Sequence, residues 1–108
     1  MRIPIPFLSL FSACGGITAI HASPLITEFM AINDSSLEDE DGEFSDWIEI
    51  HNPDELAINL GGWHLTDDSS DLTKWTFPAV TLQPGGFLVV FASDKDRENP
   101  AGEVHSNF

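Results

Sequence analysis

An all-β, antiparallel sandwich is predicted by three observations. Short apolar alternations recur at close spacing, Gly and Pro turns separate them, and no stretch shows a helical period. The clearest alternation, Trp47-Ile48-Glu49-Ile50-His51, puts Ile48 and Ile50 on one face and Trp47, Glu49 and His51 on the other. The clearest turn, Gln83-Pro84-Gly85-Gly86, leads into Phe87-Leu88-Val89-Val90-Phe91-Ala92. That continuous apolar run is the pattern of a strand covered on both faces. At 108 residues the chain is one domain at most.

Taken in order, residues 1–22 differ from the rest. Arg2 is followed by an almost uncharged apolar run from Ile3 to Ile20, and Ile20-His21-Ala22 ends on a small residue. This is the three-part build of a secretory signal peptide, so cleavage after Ala22 and a secreted or cell-surface location are expected. Pro4, Pro6, Gly15 and Gly16 argue against a buried helix, and the run is borderline in length for a membrane span. Cys14, the only cysteine, lies here. Phe11-Ser12-Ala13-Cys14-Gly15 loosely resembles a lipoprotein processing box, but Phe11 stands where leucine is usual and the preceding segment is very short, so a lipid anchor is disfavoured. The domain left at 23–108 would hold no thiol, hence no disulfide and no cysteine metal site.

The first strand is expected over Pro24–Asn33, with Ile26 facing opposite Leu25, Thr27 and Phe29. Asn33–Asp46 carries too little apolar content to pack, Leu37 and Phe44 apart, and reads as a loop. The central strand follows, stopped by Asn52-Pro53-Asp54-Glu55, where proline fixes φ and Asx side chains bond local backbone. Ala57–Leu60 is brief and extended, and Gly61-Gly62 leads into Trp63–Asp67. Lys74–Phe77 is closed by Pro78, and Val80–Leu82 is short. Ser93–Gly102 is polar and loops. Gly102–Phe108 enters a strand without a turn to end it, so the sandwich is expected to be incomplete at the C-terminus.

Charge narrows the partners. Beyond residue 22 the chain has 18 acidic side chains against Lys74, Lys95 and Arg97, a formal charge of −15. Phosphate backbones and anionic membrane surfaces need Lys and Arg, so both are excluded as direct partners. Cations, or solubility outside the cell, suit the balance.

Asp39, Asp41, Glu43 and Asp46, with Gly42 among them, are the candidate metal ligands. Alternating carboxylates on a glycine-containing loop can converge oxygens on Ca²⁺, the one cofactor the sequence offers. The spacing is not that of an EF-hand, and the competing account is a solvated acidic loop whose repulsion keeps a sheet edge from pairing. His51, His64 and His105 match no local ligand spacing and read as strand histidines exposed on one face. Trp47, Trp63 and Trp75 could form a carbohydrate platform, but each sits beside aliphatics, so at least two are expected to pack. No catalytic set emerges.

Leu25-Ile26-Thr27-Glu28-Phe29-Met30-Ala31, Phe44-Ser45-Asp46-Trp47-Ile48-Glu49-Ile50-His51-Asn52 and Asn59-Leu60-Gly61-Gly62-Trp63-His64-Leu65-Thr66-Asp67 together resemble the lamin tail domain family. Trp75-Thr76-Phe77-Pro78, Leu82-Gln83-Pro84-Gly85-Gly86 and Phe87–Ala92 continue the resemblance, which spans residues 24–108. His51 and His64 depart from it, standing where an aromatic such as tyrosine is expected. The resemblance implies an immunoglobulin-like sandwich of the kind found in secreted bacterial proteins. It also implies a binding or architectural module without shared catalytic residues, and further strands beyond Phe108 to complete the second sheet. The nuclear role of lamins does not transfer, because the chain lacks coiled-coil heptads and carries a leader. Two functions remain: an extracellular module binding an unknown protein or polysaccharide, or the accessory domain of a secreted hydrolase whose catalytic part lies elsewhere.

Overall fold

A computed structural model describes residues 8–11 and 24–108. Its strands are β1 (Ser9–Phe11), β2 (Leu25–Met30), β3 (Asp46–His51), β4 (Ile58–Asn59), β5 (His64–Thr66), β6 (Trp75–Thr76), β7 (Thr81–Leu82), β8 (Phe87–Ala92) and β9 (Val104–His105), with no helix among the described residues. They form a four-stranded sheet ordered β2-β3-β8-β9, a three-stranded sheet ordered β1-β5-β6 and a two-stranded ribbon, β4-β7. The predicted all-β class is what the chain adopts.

The core follows from the alternation. On β3, Asp46, Ile48 and Ile50 are buried while Trp47, Glu49 and His51 are half-buried on the outer face. Register with β8 sets Ile48 opposite Val90 and Ile50 opposite Leu88. These residues, with Ala92 and Val104, meet Leu65, Trp75, Ile58 and Leu82 from the other strands, and Leu60, Phe77 and Phe108 complete the cluster. Gly85, at φ +73°, and Gly86 make the turn into β8; a Cβ on Gly86 would meet the Gln83 carbonyl oxygen at 2.9 Å.

The structure departs from the expectations in four places. The sheet is not wholly antiparallel: β9 runs parallel to β8, with Val90 opposite Val104 and Phe91 opposite His105. Residues 93–103 carry the chain back along β8 to allow this, through left-handed turns at Asp94 and Asp96 and a bridge between Arg97 and His105. In β2 the pairing shifts between Ile26 and Glu28, so Ile26 opposes Ile50 and Phe29 opposes Ile48. That bulge inserts one residue and brings Phe29 to the face of Ile26, not the opposite one. The Phe87–Ala92 run is covered at its end but not its start, where Phe87 is 58% exposed and stacks on His51 at 4.2 Å. Lastly, β1 lies within the expected leader, with Leu10 opposite Leu65. Cys14 and the junction after Ala22 lie outside the described residues.

Asn52 does more than end β3. Fully buried, it donates through Nδ2 to the carbonyls of Leu56 (2.9 Å), Leu82 (2.9 Å) and Gln83 (3.2 Å) and accepts the Asp54 N–H at 2.9 Å. Two separate turns, the one after β3 and the one before β8, are thereby fixed to one side chain.

Candidate functional site: the acidic loop and its lysine

The acidic loop is a closed turn. Gly42, at φ +75°, lets its N–H reach the Asp39 carbonyl at 2.9 Å, and the Asp39 N–H donates to the Glu43 carbonyl at 2.8 Å. Asp39 Oδ1 accepts the N–H groups of Asp41 (2.9 Å) and Glu43 (3.0 Å). Carboxylate oxygens of Asp39, Asp41 and Glu43 converge within 4.8 Å of one another, as the sequence suggested.

Lys95 already stands where they converge. Its ammonium lies 2.6 Å from Asp39 Oδ2, 2.8 Å from Asp41 Oδ2 and 2.8 Å from Glu43 Oε1. Three donors meet three carboxylates, which is the full capacity of the group. Arg97 closes the outer side, with Nη1 2.7 Å from Glu40 Oε1 and Nη2 2.7 Å from Asp41 Oδ2. A Ca²⁺ ion would have to displace Lys95, and Asp39 Oδ1 is committed to two backbone donors, so the three carboxylates fall short of the six to eight oxygens the ion prefers.

Electrostatics follow the geometry. Burial pushes the Asp39 carboxyl up, but the Lys95 ammonium and the N–H groups of Glu43 and Asp41 outweigh it and hold it below the usual range. Asp41, paired first with the Arg97 guanidinium and then with Lys95, is lowered to about 2. Burial works against the charge on Lys95, yet its three carboxylate partners raise it well above the ordinary lysine value.

Asp46 does not join this cluster. It points inward from β3, and its Oδ1 accepts the N–H groups of Ile32 (2.9 Å) and Asn33 (3.1 Å). Ile32 sits at φ +67°, a costly conformation for a β-branched residue, and Asp46 is what holds the chain there.

Nor do the other constellations assemble. His51 Nδ1 is 3.1 Å from the Gly86 carbonyl and His64 Nδ1 is 3.0 Å from Thr76 Oγ1, on different sheets. His105, expected to be exposed, is fully buried: Phe91 stacks on it at 5.2 Å and Arg97 pairs with its backbone. Trp75 is buried against Phe77 and donates Nε1–H to Asp96 Oδ1 at 3.0 Å, while Trp63 packs on the core. With Trp47 on the outer face of β3, the tryptophans share no platform.

Residues 20–107, nearly all of this sandwich, match the Lamin Tail Domain family. The chain belongs to that family. The lamin tail domain is an immunoglobulin-like, non-enzymatic fold, and the assignment supports a binding or scaffold module in general terms. No curated protein and no solved structure matches the chain. Within this lamin tail domain, sequence reasoning missed Lys95, Arg97 and Asn33 as partners of the loop. The inward side of Asp46 was readable, since it shares the alternation of Ile48 and Ile50. Lys95 carried no such signal, being 56 residues from Asp39.

Proposed function

We propose that this lamin tail domain is a non-catalytic binding and scaffolding module working outside the cytoplasm, with an extracellular protein or polysaccharide as its partner. The observation that carries this reading is the state of the acidic loop. Its carboxylates are tied down by Lys95 and Arg97 of the same domain, which leaves a stiff, closed turn, while Ile32, Leu37 and Phe44 along the same segment stay exposed. A segment held by internal ion pairs that presents apolar side chains is suited to docking. The strong acidity and the leader pattern of residues 1–22 support the extracytoplasmic site. Among the described residues no helix is long and apolar enough to cross a membrane. Fractionation of producing cells with intact-mass analysis tests the location. Extracytoplasmic protein beginning at Ser23 is expected, and full-length chain soluble in the cytoplasm would overturn it.

A further inference from the structure

His105 adjoins the Lys95 cluster through Glu40 and Arg97 and has an incomplete set of partners. Its ring is fully buried, with Nδ1 2.7 Å from Ser93 Oγ. Its Nε2 is buried without a hydrogen-bond partner. That nitrogen faces two carboxylates, Glu40 Oε1 at 3.5 Å and Glu103 Oε1 at 3.7 Å, and the three ligand atoms lie within 4.8 Å of one another. Among the described residues Trp47 Nε1 is buried without a partner too, but only the His105 nitrogen faces carboxylates, and that calls for an explanation.

We propose that His105, Glu40 and Glu103 form a binding site for a divalent transition-metal ion of the Zn²⁺ type. Zinc bonds nitrogen and carboxylate oxygen at about 2.0–2.2 Å, which makes the edge of a tetrahedral site about 3.4 Å. The separations of 3.5 Å and 3.7 Å need only small adjustment to match it. Orientation is supplied in advance. In the tautomer that metal binding requires, Nδ1–H donates to Ser93 Oγ, 2.7 Å away, and the Nε2 lone pair lies on the carboxylate side, the outer hydrogen bond that metal-binding imidazoles make. The Glu40 N–H donates to Glu103 Oε1 at 2.6 Å and holds the two acidic segments together.

The surroundings favour a cation and give it access. Glu40 and Glu103 line a hollow of about 610 Å³ walled by Leu37, Phe91 and Val104, so solvent reaches the carboxylate side of the site while His105 stays behind it. An imidazole nitrogen selects against Ca²⁺ and Mg²⁺, which take oxygen ligands. Arg97, 2.7 Å from Glu40 Oε1, is the built-in competitor and limits affinity. The rival account is a protonated His105 ion-paired with both carboxylates, and it predicts no metal binding at this place.

The test uses the full chain, stripped with chelator and titrated with Zn²⁺ by calorimetry, alongside nitrogen NMR of the imidazoles. One equivalent should bind, raise the melting temperature and shift the His105 Nε2 resonance. Ser93→Ala should weaken binding about tenfold. Glu40→Gln, at the surface, and Glu103→Gln, half-buried, should weaken it further, and Arg97→Gln should strengthen it. No binding at millimolar Zn²⁺ by folded protein, or binding unchanged in the Glu40→Gln/Glu103→Gln double variant, would overturn the proposal.

Discussion

Asp46 and Asn33 hold each other across the mouth of the acidic loop. Asp46 Oδ1 accepts the Asn33 N–H at 3.1 Å, and Asn33 Nδ2 donates to the carbonyl of Ser45 at 2.8 Å, the residue beside Asp46. Both side chains are buried, so the pair sets the path by which the chain leaves β2 and returns to β3. Asp46→Ala strips a charged acceptor from two N–H groups, one of them buried, and should cost about 2 kcal/mol in urea unfolding. Asp46→Asn, which keeps one acceptor, should cost less. An Asp46→Ala midpoint equal to that of the wild type would show the pair to be incidental.

Lys95→Met should be both destabilising and revealing. It leaves Asp39 buried without its cation, a loss of about 3 kcal/mol by the low end of what a broken buried pair costs. The three freed carboxylates then have room for a hard cation, so Ca²⁺ should raise the melting temperature of the variant more than that of the wild type. At 100 times the dissociation constant the gain is about 2.7 kcal/mol. An equal calcium response in both proteins would mean that the ion and the ammonium do not compete for the loop.

Acid should loosen the same loop in a definite window. The Asp41 carboxyl lies at about 2 in the folded protein against an ordinary 3.8, so the folded state binds its proton more weakly than the unfolded state does. Its contribution is therefore complete above the unfolded value and is lost as pH falls through the folded one. In chelator-treated protein the melting temperature should fall between about pH 4 and pH 2, and Arg97→Gln should flatten that slope. A slope unaltered by Arg97→Gln would assign the acid sensitivity to other carboxylates.

How far the chain could be read depended on the range of the interactions. β3 was legible because a period of two acts within a few residues, and Ile48 and Ile50 fall where that pattern sets them; β8 was legible as an apolar run after a Pro-Gly turn, though not in which of its residues are covered. The convergence of Asp39, Asp41 and Glu43 was legible for the same reason, since one turn brings them together. What occupies that convergence was not, because Lys95 arrives through the β8–β9 connection. The burial of His105 and the parallel setting of β9 share that cause: both depend on residues 93–103 folding back, which no local pattern announces. In β2, alternation alone could not reveal the bulge at Thr27 that turned Phe29 to the other face.

Strand β1 gives Ser9–Phe11, within the expected leader, a structural weight that composition did not suggest. Leu8 and Leu10 are partly buried against the core, and Ser9–Phe11 cover one edge of β5. Cleavage after Ala22 would remove them, expose that edge and cost about 2 kcal/mol of apolar burial. Residues 23–108 should melt below the full chain and exchange their β5 amides faster. Equal melting temperatures would show that β1 contributes nothing to the domain.

The chain has two lysines, and they should behave very differently as reagents. Acylation requires the free amine, and three carboxylates keep Lys95 protonated far beyond the range in which such reactions are run. Lys74, with a single ion-pair partner among the described residues, Asp67, keeps more freedom. Succinimidyl labels and amine-directed cross-linkers should therefore mark Lys74 and the α-amino group while passing over Lys95. A fluorophore attached to Lys74 would report from the start of β6 and leave the acidic loop chemically untouched.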